Sequence, residues 1–439
     1  MNSKSVKKAL NDTIREMTEI KQFFSRRPDK DYTRTRKLTF EKIISAVLAF
    51  RAGTLNHELM DFFGLEPSAA TSSAFIQQRA KIFPEAFEYL FRSFTEKIDE
   101  NKRYRGYRLF AVDGSDLQIA ANSRDPDSFF PGTDGKKPYS LLHINAMYDL
   151  LQAVYSDALI QKSRCSDECG ALTEMVDRSA VQNGLLIADR GYEAYNVLAH
   201  IQEKGWCFLV RIKDGSNGIS SGLSLPDTEE YDVPFDLHIT RKQTNAIKQL
   251  LRDRNHYKFL SSNTRFDYLP SSSGRHEPTV FYNLRFRIVR FHISETVCES
   301  IITNLDPGLF PASEIKRLYA MRWGIETSFR DLKHTLGLLH LHAKKVEFVF
   351  QEIFAKLTMY NFCERITRSV VIQQGKRKHN YKVNFSDSVH ICFKFFLGKL
   401  SPPRLETLLA KFISPIRPGR SDKRKPSQRT AISFLYRVA

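Results

Sequence analysis

The sequence contains few cysteines and no long apolar run. Its six cysteines are scattered over 439 residues, and the one close pair, Cys165 and Cys169, has no second pair at zinc-finger spacing. We therefore expect free thiols. No segment approaches the roughly 18 uninterrupted apolar residues of a membrane-spanning helix, and the charged N-terminus lacks the apolar core of a signal peptide. We expect a cytoplasmic protein without a membrane partner.

Acidic residues are also under-represented. Lys and Arg number 67 against 49 Asp and Glu, which gives a formal net charge of +18. The resulting field favours a polyanionic partner such as nucleic acid. The basic excess is largest between residues 415 and 430, where six Lys and Arg residues accompany a single Asp. We expect this basic tail to be disordered until it binds a polyanion.

Residues 38–100 carry helical patterns. One helix is expected to end at Gly53 and a second at Gly64, and Ser72 or Ser73 is expected to cap a third. The third helix carries a polar and basic stretch that contains Gln77, Gln78, Arg79 and Lys81. Two short helices around a turn predict a helix-turn-helix that contacts DNA. A small helical bundle with a solvated face is the alternative.

From residue 107 the pattern changes to strands that alternate with helices. Three consecutive strands are predicted in YRLFAVDGSDLQIA, YSLLHINAMYDL and LQAVYSDALIQ, and the last two are close enough to form a hairpin. A helix, the apolar strand LLIAD, a second helix and the strand WCFLVRIK follow. This alternation predicts a mixed α/β sheet with helices packed on it.

The alternation breaks down between residues 214 and 277. This segment is rich in Gly, Ser, Pro, Asn and charged residues, so it resembles an insertion with only short strands. Two strands, FYNLRFRIVRFHI and VCESIITNL, then precede a helical run from Pro311 to Leu336. Further helices are expected over 347–370 and 387–413.

Two aspartates follow apolar strand sequences. Asp113 comes after LFAV, where a buried carboxylate is costly unless a metal ion compensates its charge. Asp116 is an alternative ligand, and either residue is also compatible with an Asp-Gly turn. Asp189 comes at the end of LLIA, and ligand sites in open α/β sheets lie at such carboxyl ends. Helix capping is the alternative role for Asp189, but it leaves Arg190-Gly191-Tyr192 unexplained.

A third candidate acid lies on the helical run. At about 100° per residue, four residues fall within about 60° of Tyr319 on the helical wheel, namely Arg322, Glu326, Arg330 and Lys333. Asp331 lies about 140° from Glu326, so it does not compete with Glu326 as a ligand on this face. One acid among several bases and an aromatic ring suits a metal ligand surrounded by phosphate-binding groups. A solvated face with i,i+4 ion pairs is the alternative.

Three carboxylates of this kind are suited to phosphoryl transfer. They can bind two Mg²⁺ or Mn²⁺ ions about 4 Å apart, because hard cations prefer carboxylate oxygens. One ion activates the attacking water or hydroxyl and the other stabilises the leaving oxygen. Positioning and charge neutralisation then account for most of the catalysis.

Three segments together resemble the bacterial insertion-sequence transposases of the insertion-sequence-4 type. They are FAVDGSDL, IADRGY and a helix that matches the family's Y-(2)-R-(3)-E-(6)-K signature at every position. The signature residues are Tyr319, Arg322, Glu326 and Lys333. The matching segments span residues 107–345.

The resemblance implies an α/β fold with an RNase H-like, retroviral integrase-like mixed sheet. It also implies that Asp113, Asp189 and Glu326 form an acidic triad with two Mg²⁺ or Mn²⁺ ions per active site. Of the predicted DNA contacts, Tyr319, Arg322 and Lys333 follow from the signature, and Arg330 follows from the shared helix face. The expected activity is metal-dependent cleavage and strand transfer at the terminal inverted repeats of an insertion sequence, into target DNA, by a homodimer on double-stranded DNA.

The same resemblance predicts the domain organisation. A helical DNA-binding region over 1–100 precedes the catalytic core, which is divided into 105–213 and 296–345. A mostly β insertion over 214–295 separates the two parts of the core. C-terminal helices and the basic tail occupy 346–439.

Other functions remain open from the sequence. A tyrosine recombinase is suggested by His238-x2-Arg241 and Tyr436, but that tyrosine lies almost two hundred residues after the histidine. A metal-dependent nuclease without strand transfer uses the same triad. An inactive transposase-derived DNA-binding regulator retains the basic charge, but it is expected to lose an acid, and none is missing.

Overall fold

The computed structural model describes residues 1–416 except 35, 68, 133, 134, 136, 214–217, 271–277 and 374–378. The basic residues of the predicted tail, from Arg417 onward, and Tyr436 lie outside the described residues. The helices are α1 (Ser3–Glu19), α2 (Phe40–Ala49), α3 (Leu55–Phe63), α4 (Ser72–Arg79), α5 (Glu85–Lys97), α6 (Glu168–Arg178), α7 (Tyr195–Glu203), α8 (Asn245–Leu250), α9 (Ala312–Met321), α10 (Trp323–Arg330), α11 (Val346–Ser369), α12 (Phe385–Phe396) and α13 (Pro402–Lys411).

The strands form one large mixed sheet and a small separate pair. They are β1 (Arg108–Ile119), β2 (Phe129–Phe130), β3 (Tyr139–Asp149), β4 (Val154–Lys162), β5 (Gly184–Ala188), β6 (Cys207–Arg211), β7 (Tyr231–Thr240), β8 (Tyr257–Phe259), β9 (Tyr282–Ser294), β10 (Val297–Thr303), β11 (Tyr381–Val383) and β12 (Ile413–Pro415). The large sheet has the order β2-β3-β1-β5-β6-β10-β9-β7-β8, and β4 pairs with β3.

Five strands have the arrangement of an RNase H-like core. β4, β3 and β1 are antiparallel neighbours. β5 is parallel to β1, and β6 is parallel to β5. The helices α6 and α7 connect β4 to β5 and β5 to β6, as parallel strands require. The predicted α/β, RNase H-like fold class is confirmed.

Alternate residues of the three parallel strands pack against helices on the two faces of the sheet. One face contacts α6 and α7 through Phe110, Val112, Leu186, Ala188, Phe208 and Val210. The opposite face contacts α9 through Leu109, Leu185, Ile187 and Leu209. Because side chains alternate along a strand, each later residue of these strands can be assigned to a face.

The segment after β6 extends the core sheet. β7 is a ten-residue strand that pairs with β9, and β10 joins β9 to β6. Only short strands were expected here, because Pro234 and the polar residues of YDVPFDLHIT conceal its alternation. Phe235, Leu237 and Ile239 are nevertheless buried on one face of β7.

The N-terminal helices differ in detail from the predicted ones. α2 ends at Ala49 rather than Gly53, because Phe50 adopts an extended backbone and its ring is buried against Phe75. α3 ends at Gly64, as predicted, with Gly64 in the left-handed conformation. Thr71 caps α4 in place of the two serines that follow it, since its side chain accepts the Ala74 N–H at 3.2 Å.

α4 and α11 are joined by a buried polar network. Arg79 is 3% exposed and pairs with Glu352 at 2.8 Å, while its other nitrogens donate to Gln351 and to the Phe348 carbonyl. Burial alone would raise the pKa of Glu352, but Arg79 and His342 together lower it to about 2. Arg79 therefore does not belong to an exposed DNA-contacting face of α4, as the helix-turn-helix interpretation required.

α11 is the central helix of this region. It is 24 residues long, and most of its side chains are buried between the N-terminal helices, α12 and the sheet. Neither α11 nor any other helix in the described ranges is long and apolar enough to cross a membrane.

We predict that Arg79→Met destabilises the protein by about 3 kcal/mol or more, because it leaves Glu352 buried without its partner. Adding Glu352→Met should restore much of the loss, since the uncompensated charge is then removed. Urea unfolding measures both values, and Gln77→Met on the exposed side of α4 is the control. A loss below about 1 kcal/mol for Arg79→Met would contradict the buried pair.

Candidate active site

Asp113 lies inside strand β1, not in a turn. β1 continues through the Asp-Gly pair to Ile119, and Asp113 is opposite Ala146 of β3. By alternation, Asp113 shares its face with Leu109 and with Ala111, which α9 and α10 cover. Asp116 is on the opposite face and pairs with His143 at 2.8 Å. This placement favours Asp113 over Asp116 as the partner of Glu326.

Asp189 directly follows β5. Its side chain accepts the Arg190 N–H at 2.8 Å and begins the short 3-10 turn Arg190–Tyr192. Continuing the β5 register places Asp189 on the α9 face, where Tyr319 of α9 donates its hydroxyl to the carboxylate at 3.4 Å. The capping role and a role in the site are thus compatible.

Three polar residues form a row across the parallel strands. Ala111 is opposite Ile187, and Ala188 is opposite Val210. Continuing these registers by one or two residues places Asp113, Asp189 and Arg211 side by side, and adjacent strands are about 4.8 Å apart. The Arg211 guanidinium lies 3.9 Å from Asp189 and 3.3 Å from Glu299 of β10.

Glu326 approaches this row from α10, which packs on β1. The predicted helical run has a one-residue break at Arg322 between α9 and α10, and it ends in a π-helical turn, Asp331–Thr335. Arg322 is 5% exposed and donates to Glu326 at 2.8 Å. The helix is held on the sheet by buried apolar side chains, which are Ile315, Leu318, Ile325 and Phe329.

The other residues of the predicted helix face differ in exposure. Lys333 donates from Nζ to the Asp116 carbonyl oxygen at 2.8 Å, which brings the ammonium to the edge of β1, and burial lowers its pKa. The Arg330 side chain is exposed. Asp331 points towards Lys382 and Glu364 instead, away from Glu326. Its exclusion from the predicted triad agrees with this position.

The charges of the site are unevenly balanced. Burial raises the pKa of Asp113 to about 6, and the nearby charges of Glu326 and Glu168 act in the same direction. The Gly114 N–H and Arg322 oppose that shift. Arg322 also lies in the field of Asp189, so one guanidinium interacts with all three acids. The site therefore concentrates more negative charge than its nearest cation balances.

Sequence reasoning missed Arg211, Glu299 and Glu168. Arg211 ends WCFLVR, and its position at the carboxyl end of a strand parallel to β5 was a usable signal. Glu168 lies in the first turn of α6, and its contacts across the chain leave no local pattern. His238 and Arg241 lie in the β7 segment, where Arg241 donates to backbone carbonyl oxygens such as that of Thr264.

Within the described part of the chain, no three His, Cys, Asp or Glu side chains are close enough together to hold a metal ion. The donor set nevertheless fits a hard divalent cation, since it consists of carboxylates. Asp113 supports this fit, because its charge is disfavoured by burial and by two further acids. A bound cation would relieve that repulsion.

An RNase H-like sheet with acids on adjacent strands, beneath a helix that carries a glutamate, defines the DDE class of nucleic-acid-processing proteins. The family model of the transposase DDE domain matches residues 104–362. More than half of the chain is matched, so the chain belongs to this family. The transposase family expected from the three motifs is confirmed, and divalent metal dependence is implied for its members.

Individual relatives are more distant. The chain is 30% identical over 125 residues to the transposase InsG for insertion sequence element IS4 of Escherichia coli (strain K12). That alignment covers 27% of this chain and 27% of the relative. Alignment with the piggyBac transposase synaptic complex with hairpin DNA gives a TM-score of 0.46 at 10% identity, over 97% of this chain and 88% of that one.

We predict that Asp113→Asn stabilises the protein when divalent ions are chelated. The folded pKa of about 6 exceeds the usual value of 3.8. The aspartate therefore costs almost no stability below about pH 3, where both states are protonated, and its cost is complete above about pH 7. Each pKa unit corresponds to about 1.4 kcal/mol.

We expect the variant to gain about 1 to 2 kcal/mol at pH 7.5, where water at the edge of the site weakens the full effect, and only a few tenths of a kcal/mol at pH 4. Urea unfolding at the two pH values measures the difference between variant and wild type. An equal or greater gain at pH 4 would contradict the environment described for Asp113.

Proposed function

We propose that this protein is a DNA transposase of the insertion-sequence-4 type. It would cleave DNA at the terminal inverted repeats of an insertion sequence and join the released ends to target DNA. The observation that supports this most directly is the strand register that aligns Asp113 with Asp189, on a sheet face where the helix that carries Glu326 packs on β1. Family membership supports the same reaction class.

The three acids would together hold the divalent cations, two Mg²⁺ or Mn²⁺ ions per site. When bound, such ions activate the attacking oxygen and stabilise the leaving oxygen of the phosphodiester. Asp113 and Asp189 offer their carboxylates from neighbouring strands. Glu326 would leave its ion pair with Arg322 and coordinate the same ions. The Arg322 guanidinium would then be available for a DNA phosphate.

The DNA contacts would begin on the same helix. Arg322, Arg330 and Lys333 would bind phosphates of the element end, and the Tyr319 hydroxyl would add a contact beside Asp189. The exposed Arg330 suits a contact with a polyanion, whereas the buried Arg322 would reach a phosphate only after it leaves Glu326. These residues would set the position of the scissile phosphate relative to the three carboxylates.

A second DNA contact is proposed for the N-terminal region. The loop between α1 and α2 carries Lys30, Arg34 and Arg36, which line one groove with Lys81. Tyr32 fixes this loop to α4 by donating its hydroxyl to the Gln78 carbonyl oxygen at 2.5 Å. A fixed and basic loop of this kind suits the DNA backbone.

The partners would be double-stranded DNA of the element ends and of the target. The active assembly would be a homodimer on that DNA, in the cytoplasm at the nucleoid. Nothing in the described structure favours an inactive DNA-binding regulator, since each acid of the proposed triad is present on the expected element. An assay that detects joined as well as nicked DNA products distinguishes a nuclease without strand transfer from a transposase.

We predict that Glu326→Gln abolishes cleavage of a labelled terminal-repeat duplex in Mg²⁺ and leaves binding of that duplex largely intact. The amide retains the shape of the side chain but loses the charge that a cation requires. Gel electrophoresis of nicked and joined products measures the reaction.

The matched control is Asp331→Asn, because Asp331 is an acid on the same helical run that points away from the site. We expect this variant to keep cleavage. Cleavage by Glu326→Gln at the wild-type rate would show that Glu326 holds no metal ion. Nicking without joining by the wild type would indicate that the protein is a nuclease and not a transposase.

We predict that Lys333→Ala weakens binding of the element end and reduces the slope of log K against log salt concentration by about one. Its ammonium would neutralise one phosphate, so one counterion fewer would be released. Fluorescence anisotropy at a series of salt concentrations measures the slope. An unchanged slope would exclude the phosphate contact.

A further inference from the structure

We propose that Glu168 is a fourth acidic residue of the active site and a ligand of the divalent cation, and that His143 positions it. The proposal rests on the proposed function, because it assigns one more residue to the same centre. Glu168 lies in the first turn of α6, on the sheet face opposite to that covered by α10. It would therefore reach the site from the other side.

Two glycines place Glu168 between the aspartate-bearing segments. A Cβ atom on Gly114 would lie 2.8 Å from Glu168 Oε1, so the carboxylate touches the strand one residue after Asp113. A Cβ atom on Gly191 would lie 3.8 Å from Oε2, so the same carboxylate borders the turn that follows Asp189.

The sheet leaves room at this point. β5 ends at Ala188, whereas β1 continues to Ile119, so the edge of β1 beyond Asp113 is not covered by β5. Glu326 approaches this edge from one face and Glu168 from the other. A cation at the edge is accessible to both carboxylates.

His143 lies between Glu168 and Asp116. Its Nε2 atom lies 3.0 Å from Glu168 Oε1, and its Nδ1 atom lies 2.8 Å from Asp116 Oδ1. The imidazole is 8% exposed. A Cβ atom on Gly114 would lie 2.3 Å from Nε2, so only glycine permits this packing. The arrangement directs the Glu168 carboxylate to the strand edge and gives Asp116 a supporting role.

Calorimetric titration of the DNA-free protein with Mn²⁺ tests the proposal without reference to catalysis. We expect Glu168→Gln, which removes the charge, to weaken Mn²⁺ binding by about 10-fold or more. Glu168→Asp keeps the charge but withdraws the carboxylate, and it should weaken binding comparably. Glu174→Gln removes a charge from an exposed position of the same helix and should bind as the wild type does.

His143→Gln should lower the Mn²⁺ affinity by about 10-fold, because outer partners orient metal ligands. Thermal unfolding in a chelator should show that both Glu168 variants fold, since the Glu168 side chain is 42% exposed. If Glu168→Gln weakens Mn²⁺ binding and Glu168→Asp does not, the result would indicate a long-range charge effect and overturn the ligand role.

The outcomes separate this proposal from the proposed function. Loss of binding in Asp113→Asn with wild-type affinity in both Glu168 variants would overturn the role of Glu168 alone. Failure of the wild type to bind Mn²⁺ at all, or binding that Asp113→Asn leaves unchanged, would overturn both. Parallel losses in Asp113→Asn, Glu168→Gln and Glu168→Asp support the fourth acid.

Discussion

The structure depends on holding mutually repelling carboxylates at one edge of a sheet. Arg322 is nearly buried and interacts with Asp113, Asp189 and Glu326 at once. Arg322 does not offset the burial of Asp113 and the repulsion from Glu326 and Glu168, so the pKa of Asp113 rises to about 6. The free energy stored in this repulsion is available to a cation, because cation binding removes it.

The scaffold maintains that repulsion through packing on both faces of the sheet. Parallel register fixes Asp113 beside Asp189, and the apolar face of α9 and α10 fixes Glu326 above them. The helical region around α11 supports the same elements, and its buried Arg79–Glu352 pair joins the N-terminal helices to the C-terminal ones. The basic loop between α1 and α2 and the acidic edge of the sheet therefore belong to one packed structure.

The parts of the proposed site that depend on local periodicity could be inferred from the sequence. The spacing of Tyr319, Arg322, Glu326 and Lys333 assigns one helix face without knowledge of any partner. The residues alone do not decide between Asp113 and Asp116, because an Asp-Gly pair is equally typical of a turn. In the structure β1 continues past this pair, which places Asp113 and Asp116 on opposite faces of the sheet.

Long-range contacts were beyond the reach of sequence patterns. Arg79 was interpreted as exposed because its partner Glu352 is 273 residues away. Arg211 and Glu168 join the site through strand register and helix packing, which no local spacing encodes. β7 was underestimated because Pro234 interrupts its alternation.

The most direct test of the central claim is anomalous diffraction from crystals of the protein bound to Mn²⁺ and a terminal-repeat duplex. We expect Mn²⁺ peaks at the edge of the sheet within coordination distance of Asp113, Asp189 and Glu326. We also expect that the Arg322 guanidinium leaves Glu326 and contacts a phosphate. Peaks that are absent from this edge, or an Arg322–Glu326 pair that persists beside bound Mn²⁺, would contradict the central claim.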